Sequence, residues 1–161
     1  DIQEVNVVCF AQAYDILFDP TKYRPESRET ADHSLPYCLA AAMVDKKITT
    51  ESFSDEKLND PRIYEVIDKI KGEPSQEFEK MFPAKQPSRV VVTTNDGRTF
   101  EEYLEYPKGD PREPMTMGDL ENKFNSLVGD KFDDSKKNQI KDTIFDCEEL
   151  TADEFMQSLN V

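Results

Sequence analysis

Residues 24 to 37 read R-P-E-S-R-E-T-A-D-H-S-L-P-Y and stop abruptly at the apolar run C-L-A-A-A-M-V of residues 38 to 44. This junction constrains the fold more than any other feature of the chain. A small-residue, uncharged run predicts a buried helix, here from about residue 34 to residue 46. Pro36 fits its first turn, where the N–H that proline lacks has no intrahelical partner anyway. The polar run before it predicts a loop that delivers Arg28, His33, Ser34 and Tyr37 to that turn. His33 is the only histidine, so proton transfer near neutral pH has one natural candidate. Unpaired N–H groups and a positive dipole end make a helix entry favourable to anions. An arginine, a histidine and hydroxyls at such an entry suit a carboxylate substrate.

Charge narrows the partners. With 34 acidic and 20 basic side chains the formal charge is −14, a field that repels nucleic acid and anionic membrane. It also repels a polycarboxylate at long range, so an anion site needs local cations. Lys22, Arg24 and Arg28 supply such a cluster, against the alternative of a solvated loop with scattered charge. A hydrophobic content of 37% with 34% charged residues leaves no run near the roughly 18 apolar residues of a membrane span. No signal-peptide pattern opens the chain either. Cys9, Cys38 and Cys147 are odd in number and far apart, which argues against a disulfide framework or a zinc site. Cys38 reads as a buried filler, with a thiol nucleophile paired to His33 as the alternative. These features point to a cytoplasmic protein, and a start at Asp1 without methionine suggests a piece of something longer.

The rest of the chain sets the architecture. Loose alternation predicts a strand over residues 2 to 10, and residues 11 to 23 suit either a short helix or an irregular connection closed by Asp19 and Pro20. Ser54 and Asp60 are helix-start residues, the second followed by Pro61, and Ile63, Val66, Ile67 and Ile70 fall at helical spacing. Residues 73 to 87 read as a polar, proline-punctuated connection with a helical turn near residues 78 to 82. Residues 89 to 106 predict a hairpin turning at Asn95, Asp96 and Gly97, paired beside the strand at Val5 and burying Val90 and Val92 under the helix of residues 39 to 44. Thr116 with Asp119, Asp133 or Asp134, and Thr151 with Glu154 start three closing helices. The expected class is α+β: a small, mainly antiparallel sheet with helices packed on one side and C-terminal helices following.

Two blocks carry a family resemblance. The run R-E-T-A-D-H-S-L-P-Y before a small apolar helix resembles the signature of the MmgE/PrpD family. The Y-P-K-G-D-P-R-E-P-M run of residues 106 to 115, ahead of Lys123 and Phe124, resembles that family's G-D-P-x-x-P-[LM] loop and the helix behind it. The likeness covers roughly residues 1 to 130 and includes the helix start at Asn59, Asp60 and Pro61. It implies the family's C-terminal, lid-like domain over residues 1–130, with 131–161 as a helical extension of it. It also implies a missing N-terminal helical domain that supplies most of the active site. The family includes 2-methylcitrate dehydratase and cis-aconitate decarboxylase, so the implied substrate is a di- or tricarboxylate. No cofactor, metal or iron–sulfur cluster is implied. The apolar residues of the tail suggest a homodimer or a tail folded back onto the sheet.

Dehydration of a citrate-like acid needs a base near neutrality, a donor for the departing oxygen and cations on the carboxylates. The resemblance puts His33 and Tyr37 at the pocket as the catalytic pair. Arg28 suits a carboxylate clamp by its two-pronged fork, and Ser34 a substrate contact. Against this, His33 has the alternative of satisfying a backbone carbonyl, and Tyr37 that of anchoring the core. The functions consistent with the sequence are a hydro-lyase of the 2-methylcitrate dehydratase type, a decarboxylase or epimerase on the same scaffold, or a non-catalytic interaction module.

Overall fold

Strand β1, Ile2–Cys9, forms where the alternation predicted it, and the first of two units, Asp1–Met115, is built around it. The computed structural model describes residues 1–159. β1 lies inside a four-stranded sheet ordered β2-β1-β3-β4, with β2 at Ile70–Pro74, β3 at Ser88–Thr94 and β4 at Thr99–Leu104. Only the β1–β2 pair is parallel, with Val5 opposite Ile70, while Val5 faces Val92 on the antiparallel side. The expected class is therefore the observed one, a mixed and mostly antiparallel sheet with helices.

The hairpin turns where Asn95, Asp96 and Gly97 predicted. The Gly97 N–H donates to the Thr94 carbonyl at 2.9 Å, and Gly97 adopts φ 83°, which a residue without Cβ takes without strain. Val90 and Val92 pack against the core but are only half-buried, because β4 beyond them is uncovered along its whole length. The apolar cluster holds Val5, Val7 and Ile70 from the sheet, Ala40 and Ala41 from α3 (Leu35–Asp45), and Ile63 and Ile67 from α5 (Pro61–Ile67). Alanines there let the α3 backbone approach closely, while i,i+4 spacing turns both α5 isoleucines the same way. The remaining helices of this unit are α1 (Ala11–Leu17), α2 (Arg28–Asp32), α4 (Asp55–Leu58) and α6 (Gln76–Met81).

Residues 11 to 23, for which the sequence suited either a short helix or an irregular connection, form the short helix α1 and a 3₁₀ turn, Pro20–Tyr23. Two sequence expectations need correction. Ile70 does not extend the α5 stripe but opens strand β2, in a segment read as helix and connection. The polar run is not a continuous loop either. Ser27 Oγ accepts the Thr30 N–H at 3.2 Å and starts α2 within it, a cap overlooked beside the more prominent entry at Ser34.

Gly72 in β2 is a tight spot. A Cβ built there would lie 2.5 Å from the buried Phe18 ring, which packs with Tyr14 and Tyr23, so the ring would have to shift and give up those contacts. Gly72→Ala is expected to destabilise the chain by about 1–3 kcal/mol, as overpacking does. Urea denaturation would read this as a lower midpoint, and an unchanged midpoint would show that Phe18 relaxes freely.

From Thr116 onward a second unit contains α7 (Met117–Val128), α8 (Asp134–Phe145) and α9 (Ala152–Ser158). All three begin at the predicted caps, with capping boxes at Thr116/Asp119 and Thr151/Glu154 and with Asp133 accepting the Lys136 N–H at 2.8 Å. Between α7 and α8 runs an apolar groove of about 260 Å³ lined by Met117, Leu120, Phe124, Ile144 and Phe145. No helix among the described residues is long and apolar enough to cross a membrane.

Candidate active site

The signature run folds into a joint between two helices. α2 ends at His33 and α3 is capped by Ser34, whose extended backbone (φ −111°, ψ 111°) separates them. Ser34 Oγ accepts the Tyr37 N–H at 3.0 Å and donates to the Lys22 carbonyl at 2.6 Å, on a residue 1% exposed. His33 and Tyr37 therefore belong to different helices, and the same-face relation expected from their four-residue spacing does not arise. The His33 side chain is 66% exposed, whereas Tyr37 is 0% exposed and donates its hydroxyl to the Ser52 carbonyl at 2.8 Å. Burial pushes the Tyr37 phenol up to about 12, so it stays protonated and keeps its O–H to donate.

The imidazole of His33 is held from one side. Nδ1 lies 3.0 Å from the Glu29 carbonyl and 2.5 Å from Asp32 Oδ1. Both are acceptors, so Nδ1 carries a proton and donates, and Nε2 is the nitrogen presented outward. The Glu29 carbonyl and then the Asp32 carboxylate raise the histidine above its ordinary value, while loss of hydration and, less, the charge of Lys22 work against them. Asp32 was not among the residues singled out from the sequence. Its signal was present, an acid immediately before the only histidine, but adjacency in sequence did not reveal that the end of α2 turns the two side chains together.

The cations divide. Arg24 pairs with Asp68 at 2.5 Å, and its guanidinium lies 5.2 Å from the centre of the Tyr64 ring. A cleft of about 670 Å³ beside it is lined by Glu26, Asp55, Glu65 and Asp68, a setting hostile to anions. Arg28, at the start of α2, is exposed and has no ion pair among the described residues. Arg28 and His33 thus remain on the surface, while Ser34 and Tyr37 lie beneath them. Cys38 is half-buried with Sγ 3.7 Å from the Ala31 carbonyl, and burial raises its thiol, which keeps it protonated at neutral pH. Among the described residues no His, Cys, Asp or Glu group is placed to hold a metal ion.

The second motif closes on itself. Arg112 forks onto Asp110, with Nε–Oδ1 at 2.7 Å and Nη2–Oδ2 at 2.8 Å, and donates through Nη1 to the Ala84 carbonyl. Its guanidinium stacks 4.0 Å from the centre of the Tyr106 ring. Gly109, at φ 102°, lets its N–H reach the Glu113 carbonyl at 2.8 Å. This loop is a staple that ties the end of the hairpin to the segment after α6.

Residues 1–148 match the MmgE/PrpD C-terminal domain. The chain belongs to the MmgE/PrpD family. Its relatives include a cis-aconitate decarboxylase of Aspergillus terreus, 30% identical over 130 residues that make up 80% of this chain and 26% of that protein. A cis-aconitate decarboxylase of Mus musculus is 33% identical over 100 residues, 62% of this chain and 20% of that protein. A 2-methylcitrate dehydratase-like protein of Aspergillus oryzae is 28% identical over 134 residues, 78% of this chain and 27% of that protein. The chain spans about a quarter of the length of the curated relatives it matches.

Proposed function

We propose that this MmgE/PrpD domain contributes an acid/base histidine and a carboxylate-binding arginine to a lyase acting on a citrate-like tricarboxylate, in company with an N-terminal helical part. The observation that carries the reading is the His33 arrangement: Nδ1 fixed by Glu29 and Asp32, Nε2 outward, and a proton affinity raised above the ordinary one by those two partners. In the hydro-lyase reading, neutral Nε2 accepts the proton next to a substrate carboxylate, and the C–H electron pair becomes the new C=C bond as hydroxide departs. Arg28 holds a carboxylate during that step. Ser34 and Tyr37 fix the joint from below. The Tyr37 hydroxyl reaches a substrate only by exchanging the Ser52 carbonyl for it, and then acts as a donor to the leaving oxygen.

A second reading is favoured by a specific observation, the relatives named cis-aconitate decarboxylase. There, protonated Nε2 delivers its proton to carbon as the C–CO₂ bond breaks. Assay of the full-length protein with 2-methylcitrate and with cis-aconitate separates the two, as loss of water against release of CO₂. Turnover of neither acid would leave a non-catalytic module and overturn both.

The 161-residue chain by itself is expected to show no enzymatic turnover of either acid. His33 and Arg28 are on an open surface that neither surrounds a substrate nor excludes water from it. Multiple turnovers by the purified chain would show that a complete site lies within it.

A further inference from the structure

We propose that Asp32 is the positioning residue of the His33 site: its carboxylate holds the neutral imidazole in the Nδ1–H form, with the Nε2 lone pair facing outward. The proposal rests on the lyase reading above and adds a residue to it.

The ring is anchored at a helix end. α2 stops at Asp32, so its last carbonyls have no following turn of N–H groups to accept. In a continuing helix the Glu29 carbonyl would take the backbone N–H of His33, four residues on. That N–H goes to the Ala31 carbonyl instead, and the side-chain Nδ1 of His33 takes its place 3.0 Å from the Glu29 oxygen. A single carbonyl leaves the ring free to pivot about that bond, and an exposed neutral imidazole can then move its hydrogen to the other nitrogen. Asp32 Oδ1, 2.5 Å from the same Nδ1, removes that freedom. An ionised carboxylate only accepts, so both groups facing Nδ1 require a hydrogen there and neither has one to offer.

Among the described residues Asp32 is the one side chain that hydrogen-bonds the imidazole. Lys22 of the 3₁₀ turn acts on the ring only through its charge, and the same charge acts on Asp19. From α3 the Cys38 thiol, 4.0 Å from the Asp32 carbonyl, stays protonated and adds no charge. The His33 and Asp32 side chains are 66% and 39% exposed, so water screens their attraction and the main effect of the carboxylate is orientation. During reaction the Nδ1 hydrogen stays in place. Nε2 takes a proton from carbon in the dehydration and gives one to carbon in the decarboxylation, and Asp32 remains a carboxylate beside the imidazolium in either case.

The test begins with the 161-residue chain, its imidazole nitrogens followed by nitrogen NMR across pH. Neutral His33 should show a hydrogen on Nδ1 and a bare Nε2. Asp32→Ala should mix the two N–H forms and lower the His33 pKa, because a partner that favours imidazolium is gone. The Asp32 side chain makes no other hydrogen bond or ion pair, so backbone amide spectra should show Asp32→Ala folded. In the full-length protein Asp32→Ala should lower kcat about ten- to a hundredfold with KM little changed, the scale for losing a group that orients a functional histidine. The limb of the pH profile that reports His33 should move down as well. In a His33→Gln background the same substitution should do nothing more, whereas a purely structural effect would persist there. A wild-type tautomer and pH limb in Asp32→Ala would overturn the proposal, as would an undiminished effect in the His33→Gln background. The lyase reading fails separately. An Asp32-dependent tautomer in the chain, with turnover of neither acid by the full-length protein, would leave Asp32 holding the ring and remove the reaction. Turnover that depends on His33 but not on Asp32 would do the reverse.

Discussion

His33→Gln in the full-length protein is expected to lower turnover by a factor on the order of 10² or more, the usual contribution of a positioned acid or base. Glutamine keeps polarity and approximate size but cannot exchange a proton near neutral pH. The pH profile makes the test specific. The Glu29 carbonyl and Asp32 raise the histidine above its ordinary value of 6.5. The limb of the rate profile that reports His33 should therefore lie above that value, and should be missing from the residual activity of the mutant. Stability moves little. A raised folded-state pKa contributes stability that is present in full below 6.5 and lost as pH climbs through the folded value. Because the ring is exposed, that contribution is small, and above the folded pKa the mutant and wild type should melt alike. Wild-type kinetics in His33→Gln would reduce the residue to the C-terminal cap of α2.

Tyr37→Ala is expected to destabilise the chain by about 3–5 kcal/mol, the range for removing a fully buried aromatic ring. The ring touches Phe53 across a 6.0 Å centroid separation and lies in the same cluster as Ala40, Ala41 and Ile63. Tyr37→Phe separates the two halves of the role. It keeps the ring, removes the donor to the Ser52 carbonyl, and should cost about 1–3 kcal/mol for leaving a buried acceptor unpaired. Urea midpoints of both variants check the ordering. In the full-length protein, Tyr37→Phe that stays folded yet loses turnover on the order of 10² would show that the hydroxyl leaves Ser52 for the substrate. Activity close to wild type would leave Tyr37 a support for the joint.

Much of the fold follows from local chemistry. The β1 alternation, the turn at Gly97 and the caps at Asp60, Thr116, Asp133 and Thr151 all depend on a few neighbouring residues, and each stands where the sequence placed it. The first-turn proline and small residues of α3 are of the same kind. So is the family signature, a short string read without knowledge of its surroundings.

Strand β2 was not legible, because of its residues only Ile70 is apolar and buried. Its identity comes from a parallel neighbour more than sixty positions away, whose partners run from Val5↔Ile70 to Cys9↔Pro74. The division of the site has the same origin. Arg24 and Arg28 are alike in the sequence, yet Asp68 claims one and no described group claims the other. His33 and Tyr37 look like partners one helical turn apart until the Ser34 hydroxyl, reaching back to Lys22, breaks the helix between them and sends one ring outward and the other into the core. Which side chains stand near the joint could be read from the chain alone, since that depends on covalent neighbours. Which of them face solvent could not, because burial and charge pairing are set by groups that meet across the fold.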